Sequence, residues 1–132
     1  LETAIESQNH PILLQCEKEL KEYFKGKRTE FSVLLDPQGT EFQKNVWAEL
    51  VQIPYGKTVS YLKQADKMGR KSSVRAVAAA NSRNPIAIII PCHRVIASTG
   101  YLHGYAGGLD LKRKLLEREG LTIKNLRVEE MQ

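Results

Sequence analysis

A chain of 132 residues, 42% apolar and 27% charged, can bury one core but is short for two independent ones, so one compact unit with a small N-terminal subdomain is expected. Such proportions are those of a soluble globular protein, and no apolar run approaches the roughly 20 residues that a membrane-crossing helix needs. The net charge of +5 and a pI near 9.3 favour a polyanionic partner without naming it.

In chain order, Leu13, Cys16, Leu20 and Phe24 fall on one face of a helix from Pro11 to Lys25, with Glu17, Lys18, Lys21 and Glu22 turned outward. Cys16 is then a core residue. Phe31 to Leu35 reads as a short strand, and Asp36-Pro37-Gln38-Gly39 as a turn, which separates a segment 1–38 from a main domain 39–132. Thr40-Glu41-Phe42-Gln43 matches a capping box at the start of a helix that runs to about Val51 and buries Phe42, Val46, Trp47 and Leu50. After the Pro54-Tyr55-Gly56 turn, Ser60 caps a second helix through Met68, which Gly69 ends in a left-handed conformation. Ser72 or Ser73 caps a third, to about Ser82.

Three short helices joined by tight turns have the layout of a helix-turn-helix unit. Ile86 to Ile90 is a β-branched apolar run suited to a buried strand that ends at Pro91. Asp110 begins a last helix through Arg118, with Leu111, Leu115 and Leu116 inward and Gly120 as its stop. Together these elements predict an α+β fold: a mostly helical, winged helix-turn-helix-like C-terminal domain with a short, partial N-terminal subdomain. There is no internal repeat. Leu1 is not followed by the basic, apolar and small-residue series of a secretory leader. Cys16 and Cys92 lack metal-ligand spacing, so both are read as free thiols in a reducing cytoplasm.

Two segments carry chemistry. In the third helix, Ala76, Ala78, Ala79 and Ala80 form a nearly bare surface, which suits a tightly packed core helix as well as one that approaches a nucleic-acid groove. Arg75 in the first turn shifts the balance toward the groove, because a cation at the positive end of the helix dipole is better explained by an external anion than by helix stability. The second segment is Pro91-Cys92-His93-Arg94, at the end of the expected strand. An adjacent imidazole is a natural general base for a thiol, and in such settings thiol pKa values fall to roughly 3.5–7.5. Neighbouring side chains on a strand point to opposite faces, however, so the pair acts together only if the backbone turns at Cys92.

The stretch Asn84-Pro85, Ile88-Ile89-Ile90, Pro91-Cys92-His93-Arg94-Val95 resembles the active-site signature of the O6-alkylguanine-DNA alkyltransferase family. The resemblance continues in order through Ile53-Pro54-Tyr55-Gly56, Val59-Ser60-Tyr61, Arg75-Ala76-Val77, Gly104-Tyr105-Ala106-Gly107-Gly108-Leu109 and Leu115-Leu116-Glu117-Arg118-Glu119-Gly120, and so covers about Thr40 to Gly120. It implies a single-turnover repair protein in which Cys92 accepts the alkyl group of O6-alkylguanine, and of O4-alkylthymine in some cases. His93 would deprotonate Cys92 through a water, Glu119 would orient the imidazole, and Tyr61 would donate a hydrogen bond to the departing base.

The resemblance further implies that the target nucleotide is flipped out of the duplex from the minor groove, with Arg75 filling the vacated space. Ala76 and Ala80 would face the groove, and Lys71 and Arg94 would meet phosphates. Asn84 would be a hinge whose side chain bonds backbone on both sides. Asn84, Val95, Tyr105, Ala106 and Gly107, with Tyr61, would line the base pocket. The partner implied is double-stranded DNA carrying O6-alkylguanine, bound by a cytoplasmic monomer, or a nuclear one in a eukaryote, with no organic cofactor. Family members with a structural zinc use N-terminal cysteines and histidines; here only Cys16 and His10 are present, too few for a site, so no metal is expected. Many members carry a second proline where this chain has Ala87, a loss expected to weaken reaction with free O6-benzylguanine.

Three rival readings fit these residues less well. Non-enzymatic relatives that bind alkylated DNA lack the acceptor cysteine; a winged-helix regulator gives no reason for the PCHRV block; a cysteine hydrolase would turn over rather than stop at a thioether.

Overall fold

The computed structural model describes residues 11–129, which divide into two compact units, one up to Asp36 and one from Pro37 onward. His10 lies outside the described residues. In the N-terminal unit, helix α1 spans Pro11–Phe24. Its buried residues are Glu19 and Tyr23, whereas Leu13 and Phe24 are exposed and Cys16 and Leu20 are half-buried. The expected apolar face is thus rotated. The cause is Glu19, whose carboxylate accepts from Ser32 N at 3.0 Å, Ser32 Oγ at 2.6 Å, Val33 N at 3.2 Å and Gln15 Nε2 at 2.9 Å. The same bonds explain why the strand expected over 31–35 does not form: its amide donors go to one buried side chain instead of a neighbouring strand.

In the second unit, α2 spans Glu41–Val51 and starts at the anticipated capping box, with Gln43 N donating to Thr40 Oγ1 at 3.1 Å and Thr40 N to Gln43 Oε1 at 3.0 Å. Val46, Trp47 and Leu50 are buried, and half-buried Phe42 lies under the Arg70 guanidinium at 5.3 Å. Trp47 Nε1 donates to Ala80 O at 2.9 Å, tying α2 to a later helix. A two-residue strand, β1 (Val59–Ser60), leads into α3 (Tyr61–Lys67), which Ser60 Oγ caps through Lys63 N at 3.0 Å. Gly69 then takes φ +70° to end it.

Lys71–Ser73 form a 3₁₀ turn that runs straight into α4 (Val74–Ser82), so neither Ser72 nor Ser73 supplies the expected side-chain cap. Helices α3 and α4 are joined by a buried reciprocal amide pair, Gln64 with Asn81, at 2.9 and 2.8 Å.

Residues 86–90 do not form the expected strand. Ile88 has φ +75°, Ile90 N donates to Ile86 O at 3.0 Å, and the segment curls into a turn that still buries Ile89 and Ile90. The Asn84 side chain makes this possible by bonding both ends of the turn, which removes the need for a strand partner. A second 3₁₀ turn, Cys92–Arg94, then leads into β2 (Val95–Ile96), which pairs in parallel with β1. That pairing brings the start of α3 beside the Cys92 segment.

Helix α5 spans Leu109–Arg118, and β3 (Ile123–Lys124) and β4 (Arg127–Val128) form an antiparallel hairpin. The inward residues of α5 are Lys112, Leu115 and Leu116, whereas Leu111 is exposed, contrary to expectation. Helices with small two-stranded sheets make the fold α+β, as the sequence predicts. No helix among the described residues is long and apolar enough to cross a membrane.

Candidate active site

The 3₁₀ turn at Cys92–Arg94 meets the condition set by the sequence, because the backbone turns at Cys92 and separates the roles of consecutive residues. Cys92 lines a cavity of about 500 Å³, while His93 is fully buried behind it. His93 Nε2 meets Glu119 Oε2 at 2.8 Å, and its Nδ1, also buried, has no hydrogen-bond partner among the described residues. Burial pushes the imidazole below its usual value of 6.5 despite the opposing pull of Glu119, so it is a neutral base at neutral pH, with Nε2–H donating to the carboxylate.

Glu119 caps the C-terminus of α5 and gathers three further donors: Arg94 Nε at 2.9 Å, Arg94 Nη2 at 2.9 Å and Gly56 N at 3.1 Å. Burial alone would raise its carboxyl, but the bonds from His93, Arg94 and Gly56 bring it down to about 2. Gly56 sits at φ +78°, and a Cβ there would meet Glu119 O at 3.1 Å, which is the local reason for a glycine after Pro54-Tyr55. Arg94 also donates to Ile53 O at 2.6 Å and is 5% exposed. It is therefore enclosed with Glu119 and not available to a phosphate, which corrects the sequence expectation.

The Cys92 thiol is raised above its usual value by burial, only partly offset by the Asn84 amide and the Lys112 charge. The expected low thiol pKa is not found. The resting pair is a thiol and a neutral imidazole, and the proton must move during reaction. Asn84 Nδ2 reaches Cys92 Sγ at 3.2 Å and Ile90 O at 2.7 Å, while its Oδ1 accepts from Ile86 N at 2.9 Å. The hinge side chain thus bonds only the downstream segment and the thiol itself, rather than backbone on both sides.

Tyr61, Asn84, Cys92, Tyr105, Ala106 and Gly107 line the same cavity, with Ala78, Ala79 and Ala87 among its apolar walls. A Cβ on Gly107 would lie 2.9 Å from Leu111 Cδ2 and 3.1 Å from the Tyr105 ring, so the loop can close this tightly only with glycine there. The buried Tyr105 hydroxyl has no hydrogen-bond partner among the described residues. Tyr61 Oη donates to His103 O at 2.5 Å. Val95 is completely buried and does not line the cavity, so its expected pocket role is not borne by its side chain. On α4, Arg75 and Ala76 are exposed, as is Lys71 in the preceding turn, but Ala80 faces the core and its carbonyl takes the Trp47 indole.

The sequence reading missed Lys112. Nothing in the charged series Leu111-Lys112-Arg113-Lys114 sets it apart, yet it is fully buried and bonded to backbone carbonyls around the cavity. Among the described residues, no group of three or more His, Cys, Asp or Glu side chains is placed to hold a metal ion.

Fold and site define a protein in which a cysteine at the wall of an apolar cavity stands before a buried histidine–glutamate pair, beside a helix-turn-helix. Residues 41–121 match the family model for the 6-O-methylguanine DNA methyltransferase DNA-binding domain, and residues 2–37 that for the ribonuclease-like domain of the same proteins. The methylated-DNA–protein-cysteine methyltransferase of Methanosarcina acetivorans is 50% identical over 113 residues, covering 86% of this chain and 72% of its own length. The Mycobacterium tuberculosis protein of the same name is 55% identical over 101 residues, 76% of this chain and 61% of its own. A crystal structure of the M. tuberculosis protein in complex with DNA superposes with a TM-score of 0.79 at 52% identity, covering 81% of this chain and 66% of that one. The chain belongs to the 6-O-methylguanine DNA methyltransferase family.

Proposed function

We propose that this chain repairs DNA by direct reversal, taking the alkyl group from O6 of a flipped-out guanine onto Cys92 in a single, irreversible event. The observation that carries this reading is the line from cavity to core: a thiol at the cavity wall, an unpartnered imidazole nitrogen on the next residue, and a carboxylate fixing that imidazole from behind. The thiol proton passes through a water to His93 Nδ1, and Glu119 holds the imidazolium that results. Sulfur then attacks the alkyl carbon; the S–C bond forms, the C–O6 bond breaks, and the electron pair leaves with the base. Tyr61 supports that departure by a hydrogen bond to the guanine. The product is S-alkylcysteine, which nothing in the site can reverse, so protein is consumed one for one.

A stacked base cannot reach a thiol at the wall of a cavity, and extruding it costs a few kcal/mol. Arg75, exposed in the first turn of α4, is suited to fill the gap, and the small side chains of Ala76 and Ala79 allow close approach to a groove. Lys71 on the same end is suited to a phosphate. The orphan Tyr105 hydroxyl supports a ligand with a polar edge, as guanine has. We further infer a monomer, a cytoplasmic or nuclear location where its DNA lies, and no cofactor, since the damaged DNA supplies the alkyl group.

Titrating a fixed amount of protein with duplex containing O6-methylguanine tests the reading. Guanine restored should plateau at one per protein molecule. A yield that keeps rising with time would instead mark a turnover enzyme such as a hydrolase, and binding without restored guanine would mark a damage-recognition protein.

A further inference from the structure

His103 belongs to none of the motif blocks, yet the fold seats it at the cavity. It lines the same cavity as Cys92 and is exposed, unlike the buried His93. Its ring stands edge-on to the Tyr61 ring, with centroids 6.1 Å apart and planes at 86°. Its carbonyl accepts from Tyr61 Oη at 2.5 Å and from Lys112 Nζ at 3.0 Å. Ring and carbonyl together hold the residue against Tyr61, while among the described residues no hydrogen bond or ion pair engages either ring nitrogen.

The cavity walls are small and mostly apolar, with Ala78, Ala79, Ala87 and Leu111 among them. A base fits there, but a phosphate that entered would lose its water without compensation. A nucleotide whose base occupies the cavity therefore leaves its flanking phosphates at the mouth. Among the described residues that line the cavity there is no lysine or arginine, and His103 is the exposed one able to carry positive charge. Imidazole is also the side chain suited to gain or lose that charge near neutral pH.

We propose that His103 is a binding residue for the extruded nucleotide, its protonated ring pairing with a phosphodiester beside the flipped base. This rests on the alkyl-transfer reading above and names the part of the substrate that the loop grips. Because the phosphate favours the protonated ring, affinity for damaged duplex rises as pH falls. Undamaged duplex, whose bases stay stacked, places no phosphate at the mouth and lacks the effect. The other titratable groups around the ring are Tyr61 of α3, Lys112 of α5, Tyr105 of the same loop, and Cys92 with His93 behind it. A variant at His103 separates its titration from theirs.

The test is equilibrium binding of the full chain to a duplex holding one O6-methylguanine, with Cys92→Ser preventing reaction, in the presence and absence of His103→Gln. At about pH 6 the chain with His103 should bind about tenfold tighter than the His103→Gln chain, the scale of one hydrogen bond to a charged group, and at about pH 8 less than about twofold tighter. At the lower pH, log affinity against log salt should be steeper by about one in the chain with His103, the mark of one more phosphate contact. An affinity ratio that does not change with pH, or equal salt slopes, would overturn the inference and leave His103 a packing partner of Tyr61. An equal pH-dependent gain on undamaged duplex would overturn it too, because the contact would then need no extruded nucleotide. No transfer by the unaltered chain from the same duplex overturns the alkyl-transfer reading and this inference together; transfer with binding that His103→Gln leaves unaltered overturns this inference alone.

Discussion

At Glu119 one carboxylate serves a buried imidazole, a buried guanidinium and the backbone amide of Gly56. Glu119→Gln would leave Arg94 a buried charge without its partner, so stability at neutral pH should fall by about 3–5 kcal/mol. The pH dependence follows from the same contacts. A carboxyl held at about 2 when folded and near 4.5 when unfolded contributes stability in full above pH 4.5, and loses it as pH falls through 2. His93, lowered from 6.5 by burial, adds a loss that begins below its unfolded value, because the unfolded chain binds that proton first. Chemical denaturation from pH 7 to pH 2 should show a steep decline for the native protein and a flatter one for Glu119→Gln below pH 4.5; parallel curves would contradict the assignment.

Ala87 presents another residue-scale case, since it lines the cavity and is exposed. A proline ring there would supply an apolar surface for a bulky leaving group. Ala87→Pro should therefore react faster with free O6-benzylguanine, and equal rates would remove Ala87 from the determinants of substrate size.

Among the elements, α2 holds the helix-turn-helix in place through Val46, Leu50 and the Trp47–Ala80 bond, and the Thr40 box fixes where it starts. Thr40→Ala should cost about 1 kcal/mol of stability, the usual worth of such a cap, with the rate of transfer unchanged. A thermal melt and a transfer assay on one preparation check both halves. This helix also shows what a sequence can reveal. Thr40, Ser60, Gly69 and Gly120 act through their own neighbours in the chain, so local spacing was enough to find them. The family pattern likewise singles out Cys92, His93, Glu119 and Tyr61, which the fold brings to one cavity and the buried pair behind it.

Where distant segments decide, local reading fails. The Ile86–Ile90 run has strand composition, but the Asn84 side chain closes it into a turn. Glu19 and Lys112 sit in amphipathic helices where a charge should face water, yet each is drawn inward by backbone donors or carbonyls from segments far along the chain. Arg94 looked like a phosphate contact because its carboxylate partner stands 25 residues away.

On the scale of the whole molecule, the proposed reaction alters the protein permanently. An alkyl group on Cys92 must fit between the Asn84 amide, the cavity wall and the tightly closed loop around Gly107. A methyl that crowds the Asn84 amide, 3.2 Å from the sulfur, brings strain of about 1–3 kcal/mol even beside the cavity. Methylated protein should accordingly melt several degrees lower than the unreacted form, at about 2–8 °C per kcal/mol for domains near this size. An unchanged melting temperature would mean that the cavity absorbs the methyl without strain.

The first experiment is intact-protein mass spectrometry after incubation with a duplex holding one O6-methylguanine, run beside Cys92→Ser. The predicted result is a single added methyl that maps to Cys92 and is absent from the variant. An unchanged mass despite binding to the lesion, or a methyl that maps elsewhere, would contradict the role of Cys92 as acceptor.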